Sequence, residues 1–126
     1  KPSPNRAECM TRFRLVPPQP NYIDALVHHI AHHSCTNEGE GWHWKSDPNC
    51  INVGEIDGPD ILRAADIKID LIYGEKSFLN IDRKPERVLG HFSQPGKLLV
   101  IPDAGHHIMV DHPLALVSAM ETLLTN

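Results

Sequence analysis

Two short apolar runs set between helical segments constrain this fold more than any other feature of the chain. The first, Ile67-Lys68-Ile69-Asp70-Leu71-Ile72-Tyr73, is rich in β-branched residues and stops at Gly74, which predicts a strand. The second, Lys97-Leu98-Leu99-Val100-Ile101-Pro102, is apolar enough for a strand buried on both faces. Around them the spacing predicts a helix over 59–66 with Pro59 in its first turn, and another over about 83–91 that Pro85 suits. A last helix opens at Pro113, with Leu116, Val117, Met120 and Leu124 on one face. Helix, strand, helix, strand, helix implies parallel strands joined by crossover helices, an α/β layer fold. Two strands cannot make a parallel sheet covered on both faces, so residues 58–126 are expected to form the edge of a larger sheet.

Residues 1–57 read as a separate segment. Residues 1–20 are polar and proline-rich, and proline biases its predecessor away from helix, so extended coil is expected there. Asn21 looks like an N-cap, with Asp24 suited to the helix dipole. Tyr22, Ile23, Leu26, Val27 and Ile30 follow at helical spacing, predicting a helix over 21–34. Residues 36–57, with Gly39, Gly41, Pro48, Gly54 and both tryptophans, read as loop.

Composition removes several function classes. The 126 residues carry a formal net charge of −4 with scattered Lys and Arg, which gives no nucleic-acid footprint. No apolar run is long enough to span a bilayer, and the N-terminal Lys-Pro-Ser-Pro-Asn has no signal-peptide core. The first residue is not Met, so the chain is expected to be a fragment or a processed product. Cys9, Cys35 and Cys50 are odd in number and widely spaced, matching neither a disulfide framework nor a zinc signature. Free thiols in a reducing cytoplasm are expected.

The sharpest local signal runs from Ile101 to Pro113. A strand ends, Ala104 and Gly105 permit a tight turn, and His106 is presented at the strand's carboxyl edge, where open α/β sheets bind ligands. A His there can take and return a proton, although spacing alone equally allows a histidine that only hydrogen-bonds its loop.

The stretch Pro102-Asp103-Ala104-Gly105-His106-His107, then Asp111-His112-Pro113 opening an apolar helix, resembles the end of α/β-hydrolase fold enzymes. Leu71-Ile72-Tyr73-Gly74-Glu75-Lys76-Ser77 is similar to their strand and turn before the acid position. The segment 12–19 and the loop 41–48 resemble the lid region of bacterial members. The resemblance covers about residue 10 to the end. It implies a lid (cap) segment with its connecting loop at 1–57, and the C-terminal part of the hydrolase core at 58–126. It also implies that His106 is the catalytic base, that no cofactor is needed, and that the substrate is a small molecule with an ester or a related carbonyl or carbon–halogen bond.

Two departures follow. No G-x-S-x-G occurs, and the serines at 3, 34, 46, 77, 93 and 118 lack that context, so the family's chain order puts the nucleophile upstream of Lys1. The usual acid position holds Ser77, which cannot stabilise an imidazolium as a carboxylate does. Either Glu75 substitutes, or the acid comes from the preceding strand, which is the reading favoured here; otherwise Glu75 is a solvated turn residue. The fragment alone is expected to be inactive. Its open sheet edge implies pairing with the upstream half, or with a second copy by dimerisation or domain swapping. Neither nucleic acid nor membrane is expected as a partner.

Four histidines, His28, His29, His32 and His33, form two i, i+4 pairs opposite Leu26, Val27 and Ile30. Such pairs could hold zinc or nickel, but no Cys or H-E-x-x-H pattern completes a site, so a polar helix face is expected and no metal is assigned. Trp42 and Trp44 are candidates for an aromatic wall of the substrate pocket; anchoring of a long loop is the simpler alternative. Asp111 reads as support for the last helix's dipole. The alternatives to a hydrolase are a His-rich metal- or pH-responsive binding domain, and a half-hydrolase kept as an interaction domain.

Overall fold

In the computed structural model, which describes residues 1–47, 49–50 and 58–125, the chain divides into two units, Lys1–Glu55 and Ile56–Asn126. The glycine and proline expected in the loop at positions 54 and 48, and residue 57 at the expected domain boundary, lie outside the described residues.

The first unit departs from the expected coil. A helix, α1 (Arg6–Thr11), interrupts residues 1–20 because Asn5 caps it, its side chain accepting the Glu8 N–H, and its six residues contain no proline. Capping of this kind satisfies a donor the helix cannot pair internally. The next helix, α2 (Asp24–His33), begins three residues later than expected. Ile23 occupies its N-cap without a side-chain bond, and the Asn21 carbonyl is taken by the Gln19 side-chain amide. The expected loop contains a hairpin of β1 (Cys35–Asn37) and β2 (Trp42–Trp44), with Cys35 opposite Trp44 and Asn37 opposite Trp42. Strands of three residues are too short to show an alternating pattern. The reversal between them uses Gly39 and Gly41 at φ of 97° and 134°, a region open to glycine. Ser3 pairs with Trp42 through both backbone bonds, at 2.7 and 2.9 Å. The three cysteines are free, with Cys9 and Cys35 buried. Burial, with the Cys9 thiol beside it, pushes the Cys35 thiol up to about 11, so it is not a reactive thiolate.

The second unit follows the expected order: α3 (Gly58–Ala64), β3 (Lys68–Gly74), α4 (Lys84–Leu89), β4 (Gln94–Ile101), a short α5 (Ile108–Asp111) and α6 (Pro113–Leu124). β3 and β4 are parallel, from Lys68 opposite Gln94 to Gly74 opposite Ile101. β4 starts earlier than expected, through a Pro95-Gly96 pair that reads as a turn. The register shifts between Ile69 and Leu71, and there Asp70 Oδ1 accepts the Lys97 N–H at 2.6 Å. A side chain at Gly96 would collide with Asp70 and the Ile69 carbonyl, so glycine lets the pairing continue.

Ile101, Ala104 and Ile108 form the core of this unit, with Ile72, Leu116 and Ala119 packed against them. α6 therefore turns Leu116 inward, while Val117, Met120 and Leu124 are exposed. The apolar face expected for this helix is split, because α6 is apolar nearly all round and periodicity could not choose a side. Among the described residues no helix is long and apolar enough to cross a membrane.

The carboxyl ends of the two strands are laced together. Glu75 N–H donates to the Ile101 carbonyl at 3.0 Å and Lys76 N–H to that of Ala104 at 2.9 Å. Gly74 is buried beneath this crossing, and a Cβ on it would overlap the carbonyl oxygens of Gly105 and Ala104. Gly74→Ala is expected to cost about 1–3 kcal/mol, the range for overpacking a close contact. A lowered urea midpoint with unchanged slope checks this.

Candidate active site

The site is built on the turn that leaves β4. Asp103 lies at φ 59°, a left-handed conformation that Asp tolerates better than most residues. Its N–H donates to Glu75 Oε2 at 2.9 Å, and its carboxylate pairs with Lys76 Nζ at 2.6 Å. That pair is solvent-exposed and contributes little stability. It nonetheless lowers the Asp103 carboxyl and raises the Lys76 amine, each through its hydrogen bond to the other. The Glu75 carboxylate is thus an exposed turn group that accepts a backbone N–H, and the partner at His106 Nδ1 is Ser77.

Further along, the Gly105 N–H donates to Asp111 Oδ2 at 2.6 Å. The Asp111 side chain is 4% exposed, and its other oxygen lies 3.2 Å from His112 Nδ1. Asp111 closes α5 rather than leading α6. It stands directly before His112, the N-cap of α6, and it also clamps the turn that presents His106. The Gly105 bond satisfies one oxygen of this buried carboxylate, whereas Oδ1 and His112 Nδ1 lie close without a hydrogen bond between them.

His106 is half-buried. Its Nδ1 lies 3.0 Å from Ser77 Oγ, which also accepts the Leu79 N–H at 3.2 Å. Ser77 is buried in the turn after β3. The imidazole is wedged edge-to-face between Phe78 at 5.0 Å and His107 at 5.1 Å. Burial, and then the neighbouring His107, hold its pKa below the ordinary 6.5. The ring is therefore neutral at pH 7. With Nδ1 occupied by Ser77, Nε2 is the nitrogen left for proton transfer. Ser77 and His106 share a cavity of about 250 Å³, walled by Leu71, Tyr73, Pro85, Val88 and Ile108. An apolar cavity with a few polar groups is the usual form of a small-molecule site.

Trp42 and Trp44 lie on β2 in the first unit and belong to contacts within that unit. The Arg6 guanidinium sits 4.4 Å over the Trp42 ring, and Phe13 lies 5.6 Å from Trp44. The histidine face is likewise local. Arg6 NH1 is 2.8 Å from His32 Nε2, and the His29 and His33 rings are 4.4 Å apart. Among the described residues no group of three or more His, Cys, Asp or Glu side chains is arranged to hold a metal ion.

No family profile and no curated protein matches this sequence. Solved structures do. An esterase from M. tuberculosis superposes on all of this chain with a TM-score of 0.75 at 19% identity. The thioesterase domain from the curacin biosynthetic pathway superposes on 94% of it with a TM-score of 0.62 at 20% identity. The fold is that of the C-terminal half of an α/β-hydrolase. The chain spans 43% of the length of each of those two proteins. In this fold, β3 and β4 are the paired parallel strands, and His106 stands on the turn at their carboxyl ends.

Sequence reading singled out His106 but assigned no part to Asp111 in its turn, and treated Ser77 only as a departure. The resemblance puts Ser77 at the acid position, and the parallel register of β3 and β4 brings its hydroxyl to 3.0 Å from His106 Nδ1 across 29 positions. His106 is expected to titrate below 6.5 by side-chain NMR. A folded pKa below the unfolded value means that protonation favours the unfolded chain. The stability held by this ring is therefore present above the unfolded value of 6.5 and lost as pH falls from there through the lower folded pKa.

Proposed function

We propose that this chain is the C-terminal part of an ester-cleaving hydrolase in which His106 is the general base. The observation that carries the reading is the His106 ring, neutral, held at Nδ1, and presented at the carboxyl edge of a parallel strand pair beside an apolar cavity. Nε2 takes the proton from an attacking nucleophile and returns it to the leaving group. The nucleophile comes from polypeptide upstream of Lys1, since no serine here has a nucleophile-elbow context. Exposed Val117, Met120 and Leu124 on α6, with a parallel pair too small to close a sheet, support the same arrangement. The upstream half, or a second copy, would cover them. The esterase and thioesterase likenesses point to esters and thioesters as the substrate class. Residues 1–57 would act as the lid, with Trp42 and Trp44 as its candidate substrate contacts.

In a protein that includes the upstream half, His106→Ala is expected to reduce kcat for p-nitrophenyl butyrate by about 10³-fold or more. The 126-residue chain alone should give no turnover. Equal rates for wild type and His106→Ala would overturn the reading.

A second reading is supported by the Arg6 contact to His32. Burial, then Arg6, and then His33, His28 and His29 lower the His32 pKa. A neutral ring accepts from the guanidinium; a protonated ring would be repelled by it and by its histidine neighbours. The first unit would then be a pH-responsive element, its contact intact above the unfolded value of 6.5 and lost as pH falls. Fluorescence of Trp42, beneath Arg6, should change between pH 7.5 and 5. Arg6→Met should move that midpoint upward towards 6.5.

A further inference from the structure

We propose that Ser77 is the positioning residue for His106, a neutral hydroxyl doing at Nδ1 what a charged group would otherwise do. The proposal rests on the reading of His106 as a general base. Three observations carry it. Ser77 Oγ is 3.0 Å from Nδ1. The hydroxyl is itself fixed, because it is buried and receives the Leu79 N–H. The carboxylates on the two laced turns are engaged elsewhere: Glu75 takes the Asp103 N–H, Asp103 pairs with Lys76, and Asp111 takes the Gly105 N–H.

A hydroxyl differs from a carboxylate in two ways. It can donate to Nδ1 or accept from it, so it holds the ring plane in either neutral tautomer without dictating which one forms. Nε2 receives the nucleophile's proton in the tautomer whose Nδ1 already carries a proton and donates it to Ser77 Oγ, so the hydroxyl hydrogen points away from the ring before and after the step. It also carries no charge, so it does not stabilise the imidazolium as an acid would. That agrees with a ring whose pKa is set by burial and by a like-charged neighbour.

The test reads the ring directly. Histidine ¹⁵N spectra of the 126-residue chain, and of the protein with its upstream half, are recorded across pH 4.5–8.5 for wild type, Ser77→Ala, Ser77→Thr and Ser77→Asp. In Ser77→Ala the His106 Nδ1 signal should move. In the longer protein, kcat should fall about tenfold, the worth of one hydrogen bond of ordinary strength, with KM unchanged. Ser77→Thr, which keeps the hydroxyl, should restore both. Ser77→Asp should raise the His106 midpoint by about one pH unit, as a neighbouring carboxylate does. An unchanged Nδ1 signal, midpoint and kcat in Ser77→Ala would overturn the proposal and put another group, such as an upstream carboxylate, on Nδ1. If the longer protein cleaves no ester while the ring signals respond as described, the hydrolase reading fails and the Ser77 contact stands.

Discussion

The close approach of two backbones at Gly74 is the constraint on which the site depends. Gly74 is the last residue of β3, and the carbonyls of Ala104 and Gly105 lie where its side chain would be. The absence of a Cβ lets the turns after β3 and β4 touch. Their contact then becomes a set of backbone bonds from Glu75 and Lys76 to Ile101 and Ala104. Ser77 and His106, far apart in sequence, meet because those bonds fix both turns at once. Ile101, Ala104 and Ile108 pack beneath the same crossing, so the core and the site share one support.

The electrostatics of the site follow from that geometry. Burial, and then the neighbouring His107, lower the His106 pKa and favour the neutral ring, the form a general base needs. The acidic residues nearby hold the turn in shape. Glu75 and Asp111 each accept a backbone N–H of the loop, donors that would otherwise be unpaired in a tight bend. Charge here supports the backbone, and the imidazole is met by a hydroxyl.

The second unit was legible because its signals are long or specific. Two β-branched runs, a glycine stop and prolines at helix starts placed β3, β4, α4 and α6 within a few residues. The first unit was less so. α1 has six residues and is recognisable only through Asn5, and the hairpin strands have three residues each, below the length at which alternation shows. For the site, Ala104-Gly105 marked the turn that presents His106, since a small residue and a glycine before a histidine imply a tight presenting turn. Asp111 precedes the helix start at Pro113 as its position suggests, but the fold-back of its carboxylate onto Gly105 has no signal in the sequence. Ser77 falls at the acid position by resemblance, but the contact of its hydroxyl with His106 Nδ1 shows only in the parallel register.

The central claim is that His106 activates a nucleophile contributed by the upstream half. The most direct measurement is the rate at which a fluorophosphonate labels the longer protein, with the modified residue found by mass spectrometry, for wild type and His106→Ala across pH 5–8. The account predicts a single labelled residue upstream of Lys1. Its rate should rise with pH through a midpoint below 6.5, and labelling should be lost in His106→Ala while the fold is retained by circular dichroism. Labelling at the same rate in the two proteins, or no labelled residue upstream, would contradict it.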